Sequence, residues 1–139
     1  MRMRRRPLLR AIDQLIPFVA LGHGIGRIGC FLNGCCYGKP TEAWYGVGQR
    51  IPTQLIEAAL LVGFYGLLRA LQRPTMLRQP GRLFGIYLVS YALIRFLVEY
   101  ARGDQTLLWN LWTLPQLMSL VAALVGLFLI IRSVFQTQV

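Results

Sequence analysis

Apolar residues along this chain fall in four long runs, separated by short polar stretches rich in proline, glycine and arginine. The runs cover roughly residues 15–37, 53–71, 83–100 and 114–134. At 1.5 Å per residue, each can cross a hydrocarbon layer ~30 Å thick. They are nearly continuous rather than striped at core-facing intervals, so they predict membrane-crossing helices instead of the amphipathic helices of a soluble core. Breaker residues punctuate the gaps: Gly38-Lys39-Pro40-Thr41 and Gln49-Arg50-Ile51-Pro52, then Gln72-Arg73-Pro74 and Gln79-Pro80-Gly81, then Gly103-Asp104. The expected architecture is an all-α integral membrane protein, one transmembrane domain over residues 1–139, with about four spans.

Composition agrees. Of 139 residues, 55% are hydrophobic and only 14% charged, and the mean hydropathy is +0.51. A soluble domain carries about a quarter charged residues. The formal net charge of +10 comes from fourteen arginines and Lys39. These cations lie mostly between the apolar runs and not on one face, which points away from nucleic acid and toward membrane flanks. Three cysteines, Cys30, Cys35 and Cys36, are an odd number with two adjacent, which argues against a disulfide framework. With a single histidine, they read as buried thiols and not as a metal site.

The loop charges predict an orientation. Residues 1–12 form a basic head carrying Arg2, Arg4, Arg5, Arg6 and Arg10. It resembles the start of a secretory signal, but Asp13 interrupts the following apolar run and no small-residue cleavage site follows cleanly. Arg69, Arg73, Arg78 and Arg82 border the second loop, and Arg132 lies near the end. An even number of spans places all of these on one side, so both termini are expected in the cytoplasm.

Two constellations carry candidate chemistry. Tyr87, Tyr91, Arg95, Glu99 and Arg102 recur every three or four residues and share one stripe of the third span. A charge at bilayer depth costs a few kcal/mol, so this stripe must face other helices or a wet cavity. Arg95 and Glu99 could alternatively form a structural ion pair near the membrane surface. In the first span, Gly22, Gly26 and Gly29 have the spacing of close helix approach, and His23 and Arg27 share a face. Asn33-Gly34 can break that helix and expose backbone N–H groups. A guanidinium, an amide and such donors together describe an anion site. Two arginines on separate spans suit a phospholipid phosphate. Thr53 reads as the N-cap of the second span, with Glu57 one turn inside and Gln54 on a shared face.

These residues resemble the bacterial prolipoprotein diacylglyceryl transferases. That family's signature, approximately Gly-Arg-Ile-Gly-Asn-Phe-Ile-Asn-Gly-Glu, is similar to the run from Gly26 through Arg27, Asn33 and Gly34 to Cys35. Its His-Pro-Ser-Gln-Leu-Tyr-Glu segment is similar to the stretch from Ile51 to Glu57. Its Gly-Arg-Leu-Phe-Gly run, followed by Tyr-x-x-x-Arg-Phe-x-x-Glu-x-x-Arg, matches Gly81 to Gly85 and then Tyr91, Arg95, Phe96, Glu99 and Arg102. The resemblance covers roughly residues 17–128. Cys30 and Cys35 replace an asparagine and a glutamate of the signature, and the family's more N-terminal His-Gly-Gly motif has no counterpart here.

The resemblance implies a multi-pass protein of the bacterial cytoplasmic membrane. It would transfer a diacylglyceryl group from phosphatidylglycerol to the lipobox cysteine thiol of a prolipoprotein. No cofactor and no metal is implied. Arg27 would hold the lipid head group, and Arg95, with Tyr91 nearby, would assist the same anion. Asn33 and Gly34 would add polar contacts, and Glu99 and Arg102 would organise the outer mouth. His23 stands one turn from Arg27 and is the candidate base. The chain would act alone, as an oligomer, or with a separate N-terminal partner. The alternative is a catalytically incomplete module that binds anionic phospholipid.

Overall fold

The computed structural model describes residues 2–34, 38, 52–101, 107–108 and 112–137. Five helices account for nearly all of them: α1 (Arg2–Leu32), α2 (Thr53–Leu71), the single turn α3 (Pro74–Leu77), α4 (Arg82–Ala101) and α5 (Leu114–Thr137). Four are long and apolar enough to cross a membrane, over Pro7–Leu32, Thr53–Leu71, Arg82–Tyr100 and Leu114–Gln136. Strands β1 (Leu107–Leu108) and β2 (Trp112–Thr113) form a two-residue antiparallel ladder, pairing Leu107 with Thr113. The fold is an all-α membrane protein, as the hydropathy predicts. Residues 35–37, the remainder of the first loop, Cys35, Cys36 and Arg102 lie outside the described residues.

Long-range contacts fix the directions. Gln72, just past α2, reaches Asp13 and Gln14 early in α1, while Glu57 at the start of α2 meets Arg27 late in α1. α1 and α2 are therefore antiparallel. Asp13 binds the start of α4, and His23 meets Tyr91, so α4 runs parallel to α1. α1 packs mainly on α2 and α4 mainly on α5. The two pairs join through Ile16, Ala20, Phe64, Leu68, Leu83 and Tyr87. Large apolar residues such as Leu124 and Phe128 of α5 remain exposed on the outside, the expected inversion where lipid is the solvent.

The helix ends follow from local chemistry. α1 begins at Arg2, well before residue 15, so the described part of the basic head is helical. It ends where Gly34 adopts a φ of +76° and its N–H bonds the Phe31 carbonyl, the left-handed cap that glycine favours. Inside α1, Pro17 has no N–H to offer the Asp13 carbonyl four residues earlier. The Gln72 side-chain amide supplies the missing donor at 3.2 Å and reaches the Gln14 carbonyl at 2.9 Å.

Asp13 has a second task. Its carboxylate, 0% exposed, accepts the Gly81 N–H at 2.7 Å and the Phe84 N–H at 2.9 Å. These are orphan donors at the start of α4, which Asp13 caps from another helix. The residue that breaks the first apolar run is thus a tertiary helix cap. α5 is capped locally: the Thr113 N–H donates to Gln116 Oε1, and the Gln116 N–H donates to Thr113 Oγ1, a reciprocal capping box. At α2 the expected Thr53 cap is absent. Pro52 holds the cap position without a side-chain bond, and Thr53 is the first helical residue, buried at 3% exposure.

The glycine expectation also shifts. A Cβ built on Gly22, Gly26 or Gly29 would meet nothing within 4 Å, so these do not mediate helix packing among the described residues. Gly24 does, against Ala58, Leu61 and Val62 of α2. The tightest approach is between Gly85 of α4 and Gly126 of α5, where a Cβ on either would lie 2.7 Å from the other's carbonyl oxygen. Two backbones in contact leave no room for a side chain.

Two stability outcomes follow, each read as retention of monodisperse protein in detergent on heating. Asp13→Ala strands two N–H groups at a buried helix start and should cost about 1–3 kcal/mol per lost partner, with Asp13→Asn intermediate. Gly85→Val or Gly126→Val should destabilise by about 1–3 kcal/mol through overpacking, whereas Gly66→Ala, in open space, should be neutral or better.

Candidate functional site

The basic and the chemical residues occupy opposite ends of the spans. Arg10, Arg69, Arg73, Arg78 and Arg132 are exposed near the start of α1 and α4 and the close of α2 and α5. At the other end, α1, α2 and α4 converge. α1 contributes His23 and Arg27 one turn apart, α2 contributes Gln54 and Glu57, and α4 contributes Tyr91, Arg95 and Glu99 at successive turns.

Glu57 is the centre of this cluster. Its Oε1 lies 3.2 Å from Arg27 Nε, and its Oε2 lies 3.5 Å from Arg95 Nη1, which donates to it. Arg95 Nη2 is 3.7 Å from Glu99 Oε2 within α4. The side chains of Glu57 and Glu99 are 2% and 4% exposed, and those of Arg27 and Arg95 15% and 13%. Two cations and two anions thus neutralise one another where a lone charge would be prohibitive. Arg95 makes the local pair with Glu99 and also a second pair across to α2.

An aromatic ladder runs inward from the cluster. His23 and Tyr91 have ring centroids 4.9 Å apart, with Tyr91 Oη 3.4 Å from His23 Nε2. Tyr91 stacks on Tyr87 at 5.9 Å, and Tyr87 on Phe64 at 6.2 Å. Beside the ladder is a cavity of about 440 Å³, within the range of small-molecule sites. His23, Tyr91 and Arg95 line one side, and Met118, Ser119 and Ala122 of α5 line the other.

The structure therefore brings together His23, Arg27, Tyr91, Arg95 and Glu99, five of the residues singled out in the sequence. Asn33 and Gly34 do not join them. Both are exposed in the turn that ends α1, roughly 9 Å along the axis from Arg27. Their N–H groups are not loose donors, because they bond the carbonyls of Gly29 and Phe31. Arg102 lies outside the described residues. Cys30 is half-buried on α1. Among the described residues, no three His, Cys, Asp or Glu side chains gather as a metal set.

Sequence reasoning passed over Glu57, treating it as part of a capped helix start. A usable signal was present: it is the lone acid in an apolar span and needs a cationic partner. The α5 wall had no such signal, since Ser119 and Ala122 are ordinary residues of a membrane helix.

Comparison with known proteins places the chain in a family. A family model described as prolipoprotein diacylglyceryl transferase matches residues 1–132. A protein of Clostridium tetani named phosphatidylglycerol–prolipoprotein diacylglyceryl transferase is 33% identical over 144 residues, which cover 94% of this chain and 56% of that one. A protein of the same name from Shewanella oneidensis is 34% identical over 139 residues, 92% of this chain and 51% of that one. The chain spans about half the length of these curated relatives. No solved structure matches. The chain belongs to the prolipoprotein diacylglyceryl transferase family.

Proposed function

We propose that the chain takes part in transferring a diacylglyceryl group from phosphatidylglycerol to the lipobox cysteine thiol of a prolipoprotein. The observation that carries this reading is the convergence of Arg27 and Arg95, from separate spans, on the two oxygens of one carboxylate. Guanidiniums that reach a common oxyanion beside a cavity have the arrangement needed to hold a phosphate.

In this reading the thiol loses its proton to His23, whose hydrogen-bond partner is Tyr91. The thiolate sulfur attacks the diacylglycerol carbon bearing the phosphate ester. The S–C bond forms, the C–O bond breaks, and glycerol phosphate departs with the electron pair. Arg27 and Arg95 stabilise the charge gathering on the departing phosphate. Glu57 positions both guanidiniums, and Glu99 restrains Arg95 from the outer side. Asn33 and Gly34 belong to the approach to the site, and the family motif assigns Arg102, with Glu99, to substrate binding. The setting is the bacterial cytoplasmic membrane, with the arginine-rich end and both termini on the cytoplasmic side. The chain works alone, as an oligomer, or with a separate partner.

A second reading follows from the coverage of the relatives, about half their length: a module that binds anionic phospholipid without completing the transfer. Phosphatidylglycerol retained on the purified chain, with no transfer in membranes, would select it.

The test is transfer of labelled lipid from phosphatidylglycerol to a lipobox peptide in membranes containing the chain. Arg27→Ala and Arg95→Ala should each lower transfer at least ~100-fold at equal protein level, and undiminished transfer in both would sink the proposal. His23→Gln should lower transfer by ~100-fold or more while phospholipid retention stays unchanged. A parallel loss of retention would instead make His23 a binding residue.

A further inference from the structure

None of the three motifs quoted for the family resemblance lies in α5, yet α5 forms one wall of the cavity that Arg95 lines. On that wall Ser119 is 6% exposed, and its hydroxyl donates to the Pro115 carbonyl oxygen at 2.8 Å. A serine hydroxyl has one proton to give and two lone pairs with which to accept. With the proton committed to Pro115, Ser119 meets a ligand in the cavity as an acceptor. Facing it are Arg95, a fixed cation, and the neutral-capable pair Tyr91 and His23.

These groups divide recognition into two parts. Guanidiniums bind phosphate oxygens whatever the phosphate is esterified to. An acceptor on the opposite wall responds to the ester: a hydroxylated alcohol satisfies it, and a dianionic phosphate monoester, with no proton to give, does not. Resting on the reading that Arg27 and Arg95 hold a phospholipid phosphate, we propose that Ser119 is a specificity-determining residue. It accepts a hydrogen bond from a hydroxyl of the glycerol carried by that phosphate. The recognised chemistry is a glycerol phosphate ester in its phospholipid form, read from two walls of one cavity.

The experiment uses the full chain in nanodiscs of a neutral matrix lipid. Phosphatidylglycerol and phosphatidic acid with identical acyl chains are added in equal amounts, and adducts are weighed by native mass spectrometry. The wild-type chain should retain phosphatidylglycerol over phosphatidic acid by about tenfold, equivalent to 1.4 kcal/mol. Ser119→Ala, benign in a helix, should bring the ratio within about twofold of unity without lowering total anionic lipid. Ser119→Thr, which keeps the hydroxyl and its bond to Pro115, should restore the preference. A ratio unchanged in Ser119→Ala, or no preference in the wild type, overturns the proposal. Adducts of free glycerol phosphate without acyl chains also overturn it, because the ligand would not be a phospholipid. Failure of the underlying reading is separate: Arg27→Ala and Arg95→Ala would then keep their total anionic lipid.

Discussion

The carboxylate of Glu57, shared between Arg27 and Arg95, is the interaction on which the chemical end of this molecule depends. Each of the three charges would be expensive alone in an apolar span. Together they are mutually compensated, and because they come from α1, α2 and α4, compensation requires those helices to meet there. Glu99 adds the fourth charge and brings the cluster to neutrality. Burial of the guanidiniums and registration of three helices are one event. The same shared oxyanion geometry supports reading the arginines as phosphate ligands.

The other end solves a different problem, backbone polarity in a medium without water. Pro17 orphans a carbonyl of α1, and Gln72 satisfies it from beyond α2. Asp13 then satisfies two N–H groups at the start of α4. One short segment of α1 thereby ties three elements without an ion pair. Between the two ends, apolar packing and the Gly85–Gly126 contact bring α4 and α5 together. This contact helps to place Met118, Ser119 and Ala122 against the polar stripe of α4. A cavity lined by His23, Tyr91 and Arg95 on one side and by Met118, Ser119 and Ala122 on the other lies next to that close approach.

Much of the fold was legible in the sequence. A continuous apolar run of about twenty residues has few stable solutions in lipid other than a spanning helix, so four runs meant four helices. The stripe Tyr87, Tyr91, Arg95 and Glu99 was legible because helical period alone puts those residues on one face, and charge in an apolar span marks that face as turned away from lipid. The family was legible because three separated motifs occur in order. The α5 capping box is local too, a threonine three residues before a glutamine, although the reading of the sequence did not single it out.

Tertiary structure decided the rest, for a common reason: partners distant in sequence leave no periodic trace. Asp13 looks like an interruption until α4 presents two unpaired N–H groups to it, 68 and 71 residues later. Gly22, Gly26 and Gly29 have the spacing of a packing face, but it is Gly24 that α2 packs against. Glu57 looks like the first turn of a helix until two arginines, thirty and thirty-eight residues away, converge on it. The sequence by itself determined which segments enter the membrane and which residues are too costly to face lipid there. Only the packing of the helices decided which of those costly groups neutralise one another, because pair energies depend on distances that no spacing along a single helix sets.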